Sequence, residues 1–238
     1  TAPTGNLSEA PTQLPALPGN LMATDLGIMV TDPIQMELVR VPAGEFLMGG
    51  DGEASQHQVA VAEFYLGKYE VTNAQYAAFV EATGYDAPED WESGNVAGDK
   101  QDYPVLGISW HDAMAFTEWL SKETGAGFRL PTEAEWEQAC RGVEGFVYPW
   151  GDMFDATKTN TYESGIGTTT PVGTYSPEGD SPYGVADMAG NVLELTSSAF
   201  RDYPYDPTAR REASSLSDRR VLRGGTFTFN EYSVRRGF

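Results

Sequence analysis

Residues 128–142, FRLPTEAEWEQACRG, carry a helix with its own start and stop signals. Thr132 followed by Glu135 is the reciprocal capping pattern, in which a hydroxyl and a carboxylate each satisfy a backbone amide left over at a helix start. Trp136, Ala139 and Cys140 then share one face at i, i+3, i+4 spacing, and Gly142 stands where the helix must stop. A thiol on that apolar face reads as a small core residue rather than a nucleophile, with no basic neighbour at helical spacing to lower its pKa. Glu133 and Glu137 also share a face, as paired glycosidase carboxylates do. Acids in a first turn are favoured by the helix dipole, so the reading is a solvated, well-capped turn.

Two further helices are marked upstream. Thr72 and Gln75 cap a stretch with Tyr76, Phe79 and Val80 on one face and Gly84 beyond it; Ser109 and Asp112 resemble such a start less closely, ahead of Ala113, Phe116, Trp119 and Leu120, with Gly125 as the stop. Between residue 36 and the first helix, MELVRVPAGEFLMGG and HQVAVAEFYLGKYEV alternate apolar and polar residues as half-buried strands do, with a turn at Gly49-Gly50-Asp51-Gly52. From about residue 143 onward no helix is signalled; VLRGGTFTF reads as a strand with a glycine kink. Residues 1–34, with prolines at 3, 11, 15, 18 and 33, read as an extended Pro-rich arm. Residues 35–238 read as a single domain.

Composition narrows the function classes. A net charge of −20 from 35 acidic and 15 basic residues repels nucleic acid and anionic membrane surfaces. The single cysteine rules out an internal disulfide and a Cys-rich zinc site. No apolar run is long enough to span a membrane. The start at Thr1, in a Thr/Pro/Ala-rich stretch like those that follow cleaved export signals, gives the expectation of an exported protein, periplasmic or extracellular. His57 and His111 lie far apart and outside any nucleophile-elbow context, so a hydrolase triad is rejected. Arg219, Arg220, Arg223, Arg235 and Arg236 gather near the end; pairing with the chain's own carboxylates is favoured over an acidic partner.

Read in order, VPAGEFLMGG, YEVTNAQYAAFV, PVLGISWHDAMAFTEWLS, FRLPTEAEWEQACRG, YPWGD, TTPVGTY, YGVADMAGNVLELTSS and RVLRGGTF resemble the successive signatures of the sulfatase-modifying-factor, or formylglycine-generating-enzyme, family from Val41 to Thr226. The resemblance implies an α+β fold related to C-type lectins: little regular secondary structure, three short helices, small antiparallel sheets and loops held by buried aromatics. It also implies what is missing. Active members hold copper with two cysteines shortly after the RGG strand, and alignment on Gly224-Gly225 puts those positions at Phe229 and Val234. No copper and no formylglycine chemistry are expected.

The family's structural calcium sites carry over more favourably. One would use Asp187 and Glu194 with the carbonyls of Gly190 and Val192, the hard oxygen set that calcium prefers. Its rival reading is a metal-free turn in which Asp187 and Asn191 bond backbone amides. A second site would use Asn160, Thr161, Ser164 and Ile166, with Ser164 where relatives often have an acid. Family members also continue into a closing GFR-type strand where this sequence stops at SVRRGF, so the C-terminal strand is expected to be incomplete.

The function expected is that of a non-catalytic binding or accessory subunit of a larger assembly. Its partners would be proteins, a membrane-associated complex among the settings. Under a ligand-binding variable-receptor reading, Thr228, Phe229, Asn230, Tyr232 and Ser233 would face the ligand. The rival class is a copper-independent maturation enzyme performing an oxidative modification.

Overall fold

The computed structural model describes residues 17, 20–25, 27–50, 56–206, 211 and 218–235. Its strands form small antiparallel sheets. β1 (Leu21–Ala23), β2 (Gly27–Val30) and β3 (Met36–Val41) are joined by β6 (Phe64–Gly67) in the order β1-β2-β3-β6. β4 (Gly44–Met48) pairs with β5 (His57–Val61), and β7 (Glu194–Ala199) with β8 (Arg220–Arg223). The arm expected over residues 1–34 is therefore not extended throughout. β1 and β2 pair as a hairpin that adds to β3, because Val30 and Ile34 have a core to enter and are 0% and 3% exposed. Residues 1–16, 18, 19 and 26 of that arm, and Asp51 and Gly52 of the expected turn, lie outside the described residues.

Helices α1 (Asn73–Thr83), α2 (Trp110–Thr124) and α3 (Glu133–Arg141) begin and end where their caps dictate. All three have complete capping boxes, including the Ser109–Asp112 pair whose sequence looked less regular, and each such cap is worth about 1 kcal/mol. Gly84 and Gly125 close α1 and α2 in the left-handed conformation that only glycine adopts cheaply. No helix of the described residues is long and apolar enough to cross a membrane.

Aromatic side chains fill the core between α1, α2 and the larger sheet. Tyr76 stacks on Phe116 at 5.7 Å, Phe79 meets Phe116 edge-on at 5.8 Å, and Trp91 packs edge-on against Tyr76 at 6.1 Å. Such pairs add about 0.5–1.5 kcal/mol each beyond their buried area. A second cluster joins Val39 and Val41 of β3 to Trp136, Ala139 and Cys140 of α3, with Val185 and Met188 from the long C-terminal loops. Cys140 is 2% exposed, as its place on the apolar face requires, and burial pushes its thiol far up from the usual range.

Around α3 the structure corrects the sequence reading. Glu133 and Glu137 are 3% and 0% exposed, not solvated. Arg223 bonds Glu133 Oε1 at 2.5 Å and Glu137 Oε2 at 3.3 Å; Arg141 bonds Glu137 Oε1 at 2.6 Å; Arg211 bonds Glu133 Oε2 at 3.3 Å. The Tyr203 hydroxyl donates to Glu133 at 2.6 Å and the Gly49 amide to Glu137 at 2.7 Å. The helix enters the interior acid-first because arginines from distant segments neutralise it there. Of the five C-terminal arginines, Arg223 pairs with the buried Glu133 and Glu137. Arg219, Arg220 and Arg235 lie over the rings of Phe200, Trp110 and Tyr232, and Arg236 lies outside the described residues.

Candidate functional site

The loops after α3 converge on Asn191, whose side chain and main chain tie together four segments. Its Oδ1 accepts from Asn160 Nδ2 at 3.1 Å and from the Thr170 amide at 3.0 Å; its Nδ2 donates to Glu70 at 3.1 Å; its carbonyl accepts the Phe227 amide at 3.0 Å. Asn191 and Asp187 both adopt positive φ, at 57° and 56°. That turn aims Asp187 inward, where its Oδ2 accepts the Gly173 amide at 2.5 Å. Gly190 must be glycine: a β-carbon there would lie 2.3 Å from the Asn160 carbonyl oxygen.

Two of the four groups expected at the first calcium site lie close to Gly224. A β-carbon on Gly224 would stand 3.4 Å from the Val192 carbonyl oxygen and 3.5 Å from Glu194 Oε1. The other oxygen of Glu194 accepts the Trp136 indole N–H at 3.0 Å. Burial pushes the Glu194 carboxyl up to about 7, with the indole bond opposing and repulsion from Asp187 adding to it. Burial likewise raises Asp187 to about 6, against the Gly173 amide and with repulsion from Asp180. Both acids thus gain from a cation. Among the described residues no three His, Cys, Asp or Glu side chains form a metal cluster by themselves, so the ion would rest on two carboxylates and backbone carbonyls.

The second expected set fits less well. Ser164 Oγ donates to the Thr161 carbonyl at 2.7 Å and meets Asn160 Oδ1 at 3.3 Å, while Asn160 Nδ2 donates to the Thr168 carbonyl at 2.9 Å. These oxygens are engaged with one another, the set carries no carboxylate, and the Ile166 side chain is exposed. No calcium site is assigned there.

The C-terminal loop divides its expected ligand-facing residues. Thr228, Asn230 and Tyr232 are exposed, whereas Ser233 is half-buried and bonds Asn230 Oδ1 through both its amide and its hydroxyl. Phe229 turns inward, with Val234, onto Tyr148 and Ala189. Phe229 and Val234, the positions aligned with copper cysteines, both point at Gly225: a β-carbon there would lie 3.3 Å from Phe229 Cδ2 and 2.7 Å from Val234 Cγ1. Two apolar side chains thus stand at the positions where the resemblance would put the copper cysteines.

Glu70 was not singled out from sequence. It follows β6 in YEVT, and an acid in an apolar run just before a helix cap was the available signal. Burial, then the charges of Asp187 and Glu194, raise its carboxyl well above the usual range, and Asn191 is its side-chain partner among the described residues. Glu70 lies on a groove of about 770 Å³ between β6, residues 104–108, residues 126–131 and the start of β7, lined chiefly by apolar side chains.

Residues 29–238 match the sulfatase-modifying factor enzyme 1-like domain. The formylglycine-generating enzyme of Streptomyces coelicolor is 33% identical over 262 residues, covering 83% of this chain and 81% of that protein. The inactive C-alpha-formylglycine-generating enzyme 2 of Bos taurus is 30% identical over 237 residues, covering 75% of this chain and 76% of that protein. The solved structure of PvdO from Pseudomonas aeruginosa superposes with a TM-score of 0.69 at 27% identity over 94% of this chain and 92% of PvdO. With its capped helices, its small antiparallel sheets and the ordered motifs from Val41 to Thr226 all in place, the chain belongs to the sulfatase-modifying factor enzyme 1-like family.

Proposed function

We propose that this chain is a non-catalytic member of its family, an exported binding or accessory subunit of a larger protein assembly. The observation that carries this reading is the pairing of Phe229 with Val234 over Gly225, at the positions where active relatives place copper-binding cysteines. Neither side chain offers a donor to a soft metal, and the remaining thiol, on Cys140, is buried in the core beneath α3. In this reading the inactive bovine relative is the nearer functional analogue and the Streptomyces enzyme the more distant one. Asp187, Glu194 and the carbonyls of Gly190 and Val192 would hold a calcium ion, whose charge offsets that of the acids and ties β7 to the glycine turn before it. The exposed Thr228, Asn230 and Tyr232 would belong to the partner-facing loop.

Incubation with copper, a thiol reductant and a peptide bearing the sulfatase cysteine motif should leave the peptide cysteine unoxidised. Turnover to the aldehyde would overturn the reading. Mild purification from the native source, followed by mass spectrometry, should recover stoichiometric protein companions; a lone monomer would count against the accessory role.

A further inference from the structure

Between β7 and β8 the chain leaves its sheet and returns. At the base of this excursion the Phe200 amide donates to the Arg219 carbonyl at 2.8 Å and Arg201 pairs with Asp218 at 2.8 Å. Further out, a histidine on another sheet holds it: the Tyr205 amide donates to Nε2 of His57, on β5, at 2.8 Å, and the imidazole stands edge-on to the Tyr203 ring at 5.8 Å. Tyr205 is buried and His57 half-buried, so the bond lies largely out of water.

A ring nitrogen accepts from an amide only while it carries no proton, and an imidazolium donates through both nitrogens. The Tyr205 bond therefore requires the neutral ring, whichever way the ring is turned. The charges nearby also oppose a cation. Arg211 lies over the rings of Tyr205 and Tyr203 at 5.0 and 5.7 Å, and bonds Glu133 at 3.3 Å and the Asp202 carbonyl at 2.6 Å. Its Nε is buried with no hydrogen-bond partner among the described residues. The Tyr203 hydroxyl joins Glu133 to Arg223. On β4, Met48 faces His57, and the next residue, Gly49, bonds Glu137 and Arg141 through its main chain. Three arginines thus meet two glutamates, an excess of one positive charge. The other acids on these elements, Glu45 of β4 and Asp202 and Asp206 of the excursion, are exposed to water, and β5 carries no further ionisable side chain.

We propose that His57 is a proton-operated clasp: its neutral imidazole fastens residues 202–206 and Arg211 against the acids of α3, and its protonation in mild acid releases them while the rest of the domain stays folded. Protonation takes the acceptor from a buried amide and sets a second cation beside Arg211, whose own donors are already incompletely met. Imidazole is the side chain whose charge ordinarily changes between about pH 5 and 8. The chain's other histidine, His111, is exposed on α2, so the same acid step leaves the helices and the aromatic core untouched.

The test is amide exchange in the whole chain, followed by NMR and expressed as protection factors, which remove the intrinsic pH dependence of exchange. Two amides report on the clasp: that of Tyr205, and that of Ala199, which donates to the Arg211 carbonyl at 3.0 Å. Both should lose protection about tenfold or more between pH 7.5 and pH 5, the effect of one buried donor left unmet, while the Trp136 amide in α3 keeps its own. His57→Gln places an acceptor that takes no proton at the reach of Nε2, and should keep both amides protected at both pH values. His57→Lys supplies a cation with no acceptor and should leave them unprotected even at pH 7.5. Undiminished protection of the parent at pH 5 would overturn the proposal, as would an acid loss that persists in His57→Gln, which would belong to Glu133 or another group. Simultaneous loss at Trp136 would mean global unfolding, and would overturn it too. Should His57→Lys fail to fold, the glutamine variant alone decides.

Discussion

Phe229 and Val234 meet over Gly225, each close enough that a β-carbon on that glycine would touch both. The approach is set by the backbone, with Gly225 at φ 83° and the Phe229 amide bonded to the Thr226 carbonyl at 2.9 Å. Both side chains belong to the apolar cluster around Tyr148.

Replacing both residues should create a soft-metal site. Phe229→Cys/Val234→Cys is expected to take up one Cu(I) per chain, read by the ultraviolet thiolate-to-copper absorption, whereas either single variant and the parent bind none. The double variant should also lose about 2–4 kcal/mol of stability, because two side chains of the Tyr148 cluster are truncated. Failure of a folded double variant to bind Cu(I) would show that the positions do not face each other as described.

The acid pair gives a pH signature. Asp187 and Glu194 have carboxyls raised from ordinary values of 3.8 and 4.5 to about 6 and about 7, so the folded chain holds protons that the unfolded chain has released. With chelator present, their contribution favours folding fully below pH 4 and declines as pH rises through 4 to 7, levelling off above. Calcium binds the ionised pair, so its stabilisation should be largest near pH 8 and small near pH 5. At a hundredfold excess over Kd it reaches about 2.7 kcal/mol, a rise of roughly 5–10 °C in Tm. Asp187→Asn should remove its share of the pH-dependent loss, leave that of Glu194, and abolish the calcium response; an equal calcium shift at both pH values would disprove the assignment.

The buried charges beneath α3 should be costly to break singly. Arg223→Ala leaves Glu133 to Arg211 and Glu137 to Arg141, removing the cation that bridges the two buried acids, and is expected to lower stability by about 3–5 kcal/mol in urea unfolding. Arg40→Ala, at an exposed pair with Glu63, should cost under about 1 kcal/mol. Similar losses for the two would mean that the Arg223 network is hydrated.

Cys140 should be silent in the folded protein. A thiol reagent is expected to leave it unmodified over hours and to label it completely once denaturant is added, since burial disfavours its thiolate. Fast labelling of the native chain would place the residue elsewhere.

The sequence made the helices legible because each is specified locally: Thr72, Ser109 and Thr132 cap their own chains, and glycines end them. Asp187, Gly190, Val192 and Glu194 were singled out through motif resemblance alone, and the Val192 carbonyl and Glu194 Oε1 each lie near Gly224. What escaped depends on residues distant in the chain. Glu133 looked like a solvated first-turn acid because Arg211 and Arg223, which draw it inward, follow some eighty positions later. The β1–β2 hairpin was hidden by prolines on either side and by strands too short to show alternation. Glu70 carried no motif of its own; its setting arises from Asn191, 121 positions away.

That same asparagine has a consequence for how the molecule assembles. The contacts it gathers, at Glu70, Asn160, Thr170 and Phe227, close large loops, and none repays its entropy until several are made together. The helices can form early on their own signals, whereas this junction must wait for chain segments from across the whole domain to meet. Refolding should accordingly be slow, with helical circular dichroism returning before the near-ultraviolet signal of the tryptophans, and Asn191→Ala should slow the second phase more than the first.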